Sequence, residues 1–279
     1  MTTAEATLRR AVAGERAARV VTLDPAFQGL PDTAHGGSVL ALFDALAGTT
    51  GARTLTGHYR KRVPLGVPLS LGVGRDGDAT TFALSDNGAR LVDGRVMPVR
   101  PDGPARLPGP AAGQGAPLPV SRTCFACGVD NPLGLRARLE FDAAAVWTAW
   151  TPRAELVGGD GTLATVAVTT LLDEAAFWLG ALATGESGMT TELRVSLHHP
   201  APAGGVVTVR GARTAVRPRP GDARYLDTTV AAHDAAGRLV AAATITFVAV
   251  RGAARRLVTG LLAQNPPDVL RRVFPAYTR

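Results

Sequence analysis

The chain has 279 residues, of which 46% are apolar and only 5% aromatic, and it carries a net charge of +7. This length corresponds to about two domains of ordinary size, and the apolar content is sufficient for buried cores. We find no apolar run close to the roughly 20 residues of a membrane helix and no signal-peptide h-region, so the composition predicts a cytoplasmic protein without a membrane span.

The first half begins with a short amphipathic helix within residues 1–20. It continues with a strand at 17–23 and an apolar helix at 36–48 that ends at Gly48. This helix is apolar almost all round, which predicts burial on most of its faces. Turn sequences then separate four predicted strands, at 53–61, 67–75, 79–85 and 90–99.

Residues 101–119, PDGPARLPGPAAGQGAPLP, are rich in Pro and Gly and nearly uncharged. Such a segment can sustain neither helix nor strand, so it predicts a linker between a domain at 1–100 and a domain at 120–252.

The second half repeats the order of the first. Strands are predicted at 135–141 and 145–150, followed by a buried helix at 162–184 that ends at Gly185. Four strands follow, and a C-terminal tail, 253–279, adds a short helix and an exposed end; the strands are at 190–198, 205–217, 223–233 and 238–250. The sequence therefore predicts an α+β fold in which each half wraps an antiparallel sheet around a central helix.

An internal repeat relates the halves, because residues 27–47 recur without a gap at 156–176, with an offset of 129 positions from Asp44 to Asp173. Duplicated halves are expected to pair their sheets edge to edge, as the subunits of a homodimer would. We therefore expect a pseudo-dimer within one chain, and further oligomerisation stays open.

His35-Gly36-Gly37 lies at the start of the first buried helix, where amide N–H groups are unpaired and the helix dipole is positive. Because glycine has no side chain, a carbonyl oxygen could approach these amides, as in an oxyanion hole. The alternative is a glycine turn in which His35 makes a backbone hydrogen bond.

Asp44 lies eight residues after Gly36, about 12 Å along the same helix, too far to act at its start. It can act at the start of an antiparallel partner helix, so we expect Gly36 to pair with Asp173 and Thr165 to pair with Asp44. Only the first pair has glycines at the helix start, which predicts one competent site with Asp173 as base or nucleophile. The alternative for Asp173 is a structural carboxylate, and we expect the adjacent Glu174 to be structural.

The two cysteines, Cys124 and Cys127, form a single CxxC. They supply two ligands where a structural zinc needs four, and although His198-His199 could complete the set, nothing in the sequence brings them near. We expect a turn with reduced thiols packed against the second domain, and neither a metal nor a cofactor.

Basic residues include a single lysine, Lys61, in the densest cluster, Arg60-Lys61-Arg62. No long basic run is present, so we expect no nucleic-acid partner. A solvated basic surface and a site for the phosphates of a nucleotide-bearing substrate both remain open.

Motifs in both halves resemble those of hotdog-fold thioesterases, specifically the phenylacetyl-CoA thioesterase-like branch. The matching segments are FQG (27–29), AHGGSVLALFD (34–44), CFACGVDNPLGL (124–135) and LLDEA (171–175). This resemblance implies a double hotdog that hydrolyses acyl thioesters, normally acyl-CoA, and no nucleic-acid partner.

The resemblance also implies roles for individual residues. The Gly36 amide would polarise the thioester carbonyl, with Gly37 beside it, and Asp173 would activate water or attack directly. Thr190 matches a residue that helps to position water, and Gln28 and Gly29 match the region that contacts the substrate. The chain departs from the family at Ala164-Thr165-Val166, which leaves a second site in doubt.

Two other functions remain open. One is a non-catalytic or vestigial acyl-binding protein, since half of the motif set is missing. The other is a hydratase or dehydratase of acyl thioesters, which would need an Asp/His pair that the sequence spacing around Asp173 does not suggest. Phe177 and Trp178 could close a short acyl tunnel or simply fill the core.

Overall fold

The computed structural model describes residues 2–14, 19–99 and 115–278. The first half contains the helices α1 and α2 and six strands. Their bounds are α1 Ala4–Arg10, β1 Val12–Ala13, β2 Arg19–Val21, α2 Gly36–Ala47, β3 Arg53–Tyr59, β4 Leu69–Asp76, β5 Ala79–Asp86 and β6 Ala89–Pro98.

The second half contains the long helix α3, eight strands and two C-terminal helices. Their bounds are β7 Ala116–Pro117, β8 Glu140–Phe141, β9 Ala145–Trp150, α3 Thr165–Thr184, β10 Gly188–Leu197, β11 Val207–Ala212, β12 Arg217–Arg219, β13 Asp222–His233, β14 Leu239–Ala249, α4 Ala253–Leu261 and α5 Pro267–Val273.

Within the described residues, the strands form one antiparallel sheet. Its order is β1-β2-β4-β5-β6-β3-β10-β14-β13-β11-β9-β8-β7, and β12 pairs with β13 outside this path. The halves meet where β3 pairs with β10, with Leu55 opposite Val195. The sheets of the two halves are therefore joined edge to edge, which buries an edge that each half would otherwise expose.

Helices α2 and α3 fill the space enclosed by the sheet, and both are almost entirely buried. The start of α2 lies beside Asp173, whereas Asp44, near its end, contacts Thr165 at the start of α3. The helices therefore run antiparallel. A Cβ on Gly37 would lie 2.5 Å from the backbone of Thr170, so only glycine permits this close crossing.

The α+β architecture, an antiparallel sheet around central helices, is the one that the sequence predicts. Helix α3 has the length and hydropathy of a membrane span, contrary to the expectation that no apolar run approaches this length, but 83% of the relevant window is buried inside the protein. Its apolar surface is the core of the second half, packed against β14 and β13.

Three predicted segments differ in the structure. The strand expected at 135–141 is confined to Glu140–Phe141, and the one expected at 205–217 is interrupted by a 3-10 turn at Arg213–Ala215. The tail forms two helices rather than one. It packs at Phe274, which is fully buried and lies against Trp178 with ring centroids 6.2 Å apart, whereas Pro275 and Ala276 beyond it are exposed, as expected. Most of the predicted linker, 101–114, lies outside the described residues.

Candidate active site

A cavity of about 420 Å³ opens where the start of α2 meets the middle of α3. Both halves of the chain line it. Its polar lining includes His35, Gly36, Tyr59, Cys124, Cys127, Asp173, Glu174 and Thr190.

Asp173 is buried, and both of its carboxylate oxygens accept hydrogen bonds. Its Oδ2 accepts from the Gly37 N–H at 3.0 Å and lies 3.0 Å from His35 Nδ1. Its Oδ1 accepts from the Thr190 hydroxyl at 2.9 Å. The structure thus brings together four residues singled out in the sequence, and it fixes the orientation of the carboxylate.

Gly36 lines the cavity, and its N–H has no hydrogen-bond partner among the described residues. A Cβ at this position would lie 2.8 Å from Asp173 Oδ2, so a side chain here would occupy the space in front of the carboxylate. The Tyr59 hydroxyl donates to the Gly36 carbonyl at 2.6 Å. Tyr59 was not identified from the sequence, where it is simply one aromatic residue in a strand.

His35 lies between two carboxylates of α3. Its Nδ1 faces Asp173, and its Nε2 lies 3.4 Å from Glu174 Oε2. Burial by itself lowers the pKa of His35, but the hydrogen bonds to Asp173 and Glu174 outweigh it, so the pKa is raised well above 6.5. The raised pKa favours the protonated imidazole, in which Nδ1–H donates to Asp173, whereas an unprotonated Nδ1 accepts from the Gly37 N–H at 3.3 Å.

The sequence predicts a structural role for Glu174, which its contacts do not contradict, but its side chain lies at the site. It lines the same cavity, and its Oε1 accepts from the Trp178 indole N–H at 3.0 Å. Although adjacent helical residues diverge, the His35 ring lies between the two side chains and contacts both of them. Trp178 and Phe177 also line the cavity.

The second copy of the site is closed. The Thr165 hydroxyl occupies the position equivalent to Gly36 and donates to Asp44 Oδ2 at 2.9 Å. Arg53 Nε donates to Asp44 Oδ1 at 2.5 Å, so the carboxylate is held in an ion pair. Arg53 follows the helix-capping Gly48 by the same five positions that separate Thr190 from Gly185, which makes Arg53 the counterpart of Thr190.

Of the two predicted substrate contacts, only Gly29 lines the cavity. The Gln28 side chain instead donates to the Thr123 hydroxyl at 2.6 Å and accepts from the Asp32 N–H. Its role in the structure is to join the loop before α2 to the cysteine segment.

The cysteine segment packs against its own half, as the sequence suggested, and also against the first. Within its own half, the Ala137 N–H donates to the Ala126 carbonyl. The Phe125 N–H donates to the Gln28 carbonyl at 2.6 Å, and the rings of Phe27 and Phe125 lie 5.1 Å apart, edge to face. Both thiols are buried and line the cavity. The hydrogen bond between the thiols lowers the pKa of Cys124 and raises that of Cys127.

These contacts place potential metal ligands side by side. The ligand atoms of His35, Cys124 and Glu174 all lie within 4.8 Å of one another, and all three residues are buried. The histidines considered from the sequence, His198 and His199, are not part of this cluster.

The cavity also has a basic rim. Lys61, Arg62 and Arg251 line it and are exposed, and among the described residues they make no ion pair. Two further arginines on the lining, Arg60 and Arg224, are paired with Asp93 and Asp222.

Neither a protein-family model nor a curated protein matches the sequence. Solved structures do match its fold. The tesB protein of Mycobacterium avium subsp. paratuberculosis is 13% identical, with a TM-score of 0.65 over 88% of this chain and 98% of that one. Acyl-CoA thioesterase II TesB2 of Mycobacterium marinum is also 13% identical, with a TM-score of 0.56 over 86% and 95% of the two chains.

A GphF dehydratase variant is 16% identical, with a TM-score of 0.56 over 86% of this chain and 97% of that one. Together with the sheet and helix arrangement, these similarities show that the chain is a double hotdog, similar in fold to TesB-like thioesterases and also to dehydratases. At this identity they establish the fold alone, and they do not show the phenylacetyl-CoA branch.

The buried ion pair of the second site is expected to contribute to stability. Changing Asp44 to Asn leaves Arg53 largely buried without its counter-charge, so we expect a loss of about 3 kcal/mol in the free energy of unfolding. Urea unfolding measures this loss. The matched control is Asp130→Asn, which removes the partner of Arg122 in an exposed ion pair and should cost no more than about 1 kcal/mol. Equal losses in the free energy of unfolding of the two variants would show that the buried pair matters no more to stability than the exposed pair.

The raised pKa of His35 predicts a pH dependence of stability. Because its pKa is higher in the folded than in the unfolded chain, the stabilisation is complete below about pH 6.5 and is lost as the pH rises through the folded value. Between the pKa of His35 in the unfolded chain and its pKa in the folded chain, the free energy of unfolding of the wild type, measured relative to that of His35→Gln, should fall by about 1.4 kcal/mol per pH unit.

This comparison is made by urea unfolding with a chelator present. The imidazole faces Asp173, Glu174 and Cys124. The unfolding comparison is therefore repeated in a Cys124→Ser/Cys127→Ser background, which removes thiol titration. If the difference in the free energy of unfolding between the wild type and His35→Gln does not change with pH, the raised pKa of His35 is contradicted.

Proposed function

We propose that the protein hydrolyses acyl thioesters at the single site formed by the start of α2 and the middle of α3. The observation that carries the proposal is the buried Asp173 carboxylate held beside the open Gly36 amide. Thioester hydrolysis needs a base or nucleophile and a donor for the developing oxyanion within about 3 Å of the same reacting atom, and it needs no metal.

In this proposal the Gly36 N–H, at the positive end of the α2 dipole, binds the thioester carbonyl oxygen and stabilises the charge that develops on it. Asp173 attacks the carbonyl carbon or removes a proton from an attacking water. Thr190 and the Gly37 amide hold the carboxylate in position, and the neighbouring His35 offsets its negative charge when protonated.

We infer that the substrate is an acyl-CoA. The unpaired cations on the rim, Lys61, Arg62 and Arg251, suit the phosphates of the CoA nucleotide. The inner lining is largely apolar and suits an acyl chain, with contributions from Leu30, Val63, Phe177, Trp178, Met189, Val248, Leu257 and Leu261. TesB2 of M. marinum, which shares the fold, is named as an acyl-CoA thioesterase.

A second candidate is hydration or dehydration of an acyl thioester. The sequence spacing around Asp173 suggests no Asp/His pair, but the pair forms across the repeats, with His35 Nδ1 3.0 Å from Asp173 Oδ2. A dehydratase is also among the proteins that share the fold. In hydrolysis, free thiol is released, whereas in dehydration the thioester survives and a conjugated double bond appears.

We expect Asp173→Asn to abolish turnover of acyl-CoA, because the amide can neither attack nor accept a proton, while Asp44→Asn changes turnover little. A panel of acyl-CoAs assayed for free thiol, below the unfolding temperature of both variants, measures this. The panel includes 3-hydroxyacyl-CoA followed at the absorbance of the conjugated product, which separates the two reactions.

Equal losses in the two variants would refute the one-site assignment. An absence of both thiol and conjugated product across the panel, with acyl-CoA still bound, would support the non-catalytic acyl-binding alternative.

The basic rim predicts a dependence on the CoA phosphates. Arg62→Ala/Arg251→Ala should raise KM for acyl-CoA several-fold with little change in kcat, and should leave KM unchanged for the same acyl group on pantetheine, which lacks the nucleotide. Arg75→Ala, an exposed arginine outside the cavity, is the matched control. An equal rise in KM for both substrates would contradict phosphate recognition at the rim.

A further inference from the structure

The cavity contains a group of buried side chains that the proposed hydrolysis does not use. Cys124, Cys127 and Glu174 lie on its wall beside His35. The thiolate, imidazole and carboxylate ligands that they can supply are those of zinc sites in proteins.

Each ligand comes from a rigid part of the fold. His35 caps α2, Glu174 belongs to the middle of α3, and the cysteines lie in a tight turn in which the Gly128 N–H donates to the Cys124 carbonyl. The Ala126 N–H donates to Cys124 Sγ at 3.3 Å, an arrangement that stabilises a thiolate. The turn is fixed to the first half by the hydrogen bond from Phe125 to Gln28.

The distances suit a single small ion. The ligand atoms of His35, Cys124 and Glu174 lie within 4.8 Å of one another, and Cys127, which lines the same cavity three residues after Cys124, lies outside this group. Zinc bonds of about 2.0 to 2.3 Å in a tetrahedron place ligand atoms roughly 3.3 to 3.8 Å apart, so the three ligand atoms need only a small inward movement, and the Cys127 thiol has to turn toward them.

We propose that the protein binds one Zn²⁺ through Cys124 Sγ, Cys127 Sγ, His35 Nε2 and Glu174 Oε2. Four protein ligands make a closed, structural site. Binding requires thiolates at both cysteines and an unprotonated His35 Nε2, so it releases the protons that these atoms carry in the metal-free chain. His35 then keeps its Nδ1–H and donates it to Asp173, the carboxylate–histidine–metal arrangement that orients many metal-bound imidazoles.

The test is a titration of the full-length, reduced, metal-free chain with Co²⁺, followed by competition with Zn²⁺. We expect one Co²⁺ per chain, an intense thiolate-to-cobalt charge-transfer band, and loss of that band when Zn²⁺ displaces the cobalt. Zinc affinity is then measured against a chromophoric chelator.

Loss of one ligand should weaken zinc binding by about 100-fold or more, since changes outside the ligand shell alone cost 10- to 100-fold. Cys124→Ser tests a thiol. Glu174→Gln tests the carboxylate while its amide oxygen can still accept from Trp178, so this variant keeps the proposal testable if the cysteine variant does not fold. His199→Asn, an exposed histidine outside the cluster, is the matched control and should bind zinc normally.

Absence of the charge-transfer band, or equal zinc affinity in the wild-type, Cys124→Ser and Glu174→Gln chains, would overturn the proposal. The readout is binding and not turnover, so either result is independent of whether the protein hydrolyses acyl thioesters.

Discussion

The structure depends on the antiparallel crossing of two buried helices at a pair of glycines. Gly37 lets the backbone of α2 approach that of α3 at Thr170, and Gly36 leaves space in front of Asp173. Because each helix is the core of one half, this crossing also fixes how the halves meet at β3 and β10. The same contact therefore holds the pseudo-dimer together and places a buried carboxylate beside the amide groups at the start of a helix.

Duplication allows the two equivalent positions to diverge. At one, glycine and Thr190 leave the carboxylate of Asp173 facing a cavity. At the other, Thr165 and Arg53 enclose Asp44 in hydrogen bonds and an ion pair. Removing the side chains that close the second site would leave a buried charge unpaired, so its present state is stabilising. The difference between the two sites therefore has a structural reason in addition to the loss of glycines at the start of α3.

The sequence predicts local features well and long-range contacts poorly. Periodicity and capping glycines give α2, α3 and the strands after them, and the repeat offset brings Asp173 to Gly36. The five-residue spacing from Gly48 to Arg53 could have indicated from the sequence that Arg53 takes the place of Thr190 in the closed site. No local pattern, by contrast, indicates that the cysteine turn contacts the first half or that the Gln28 side chain hydrogen-bonds to Thr123. Nor does any local pattern indicate that His35 lies between Asp173 and Glu174. These contacts depend on tertiary packing between segments about 90 to 140 positions apart.

His35 connects the two chemical environments of the cavity through its two ring nitrogens. Nδ1 faces Asp173, whereas Nε2 faces Glu174, in the group that includes the Cys124 thiol. Both nitrogens of an imidazolium are donors, and a metal ion on Nε2 of the neutral ring leaves its proton on Nδ1, so Nδ1 donates in both cases. The Gly37 N–H, which lies closer to Asp173 than to the imidazole, then also donates to the carboxylate. Asp173 is therefore held in one orientation in both cases, and among the described residues its Oδ1 accepts only from Thr190.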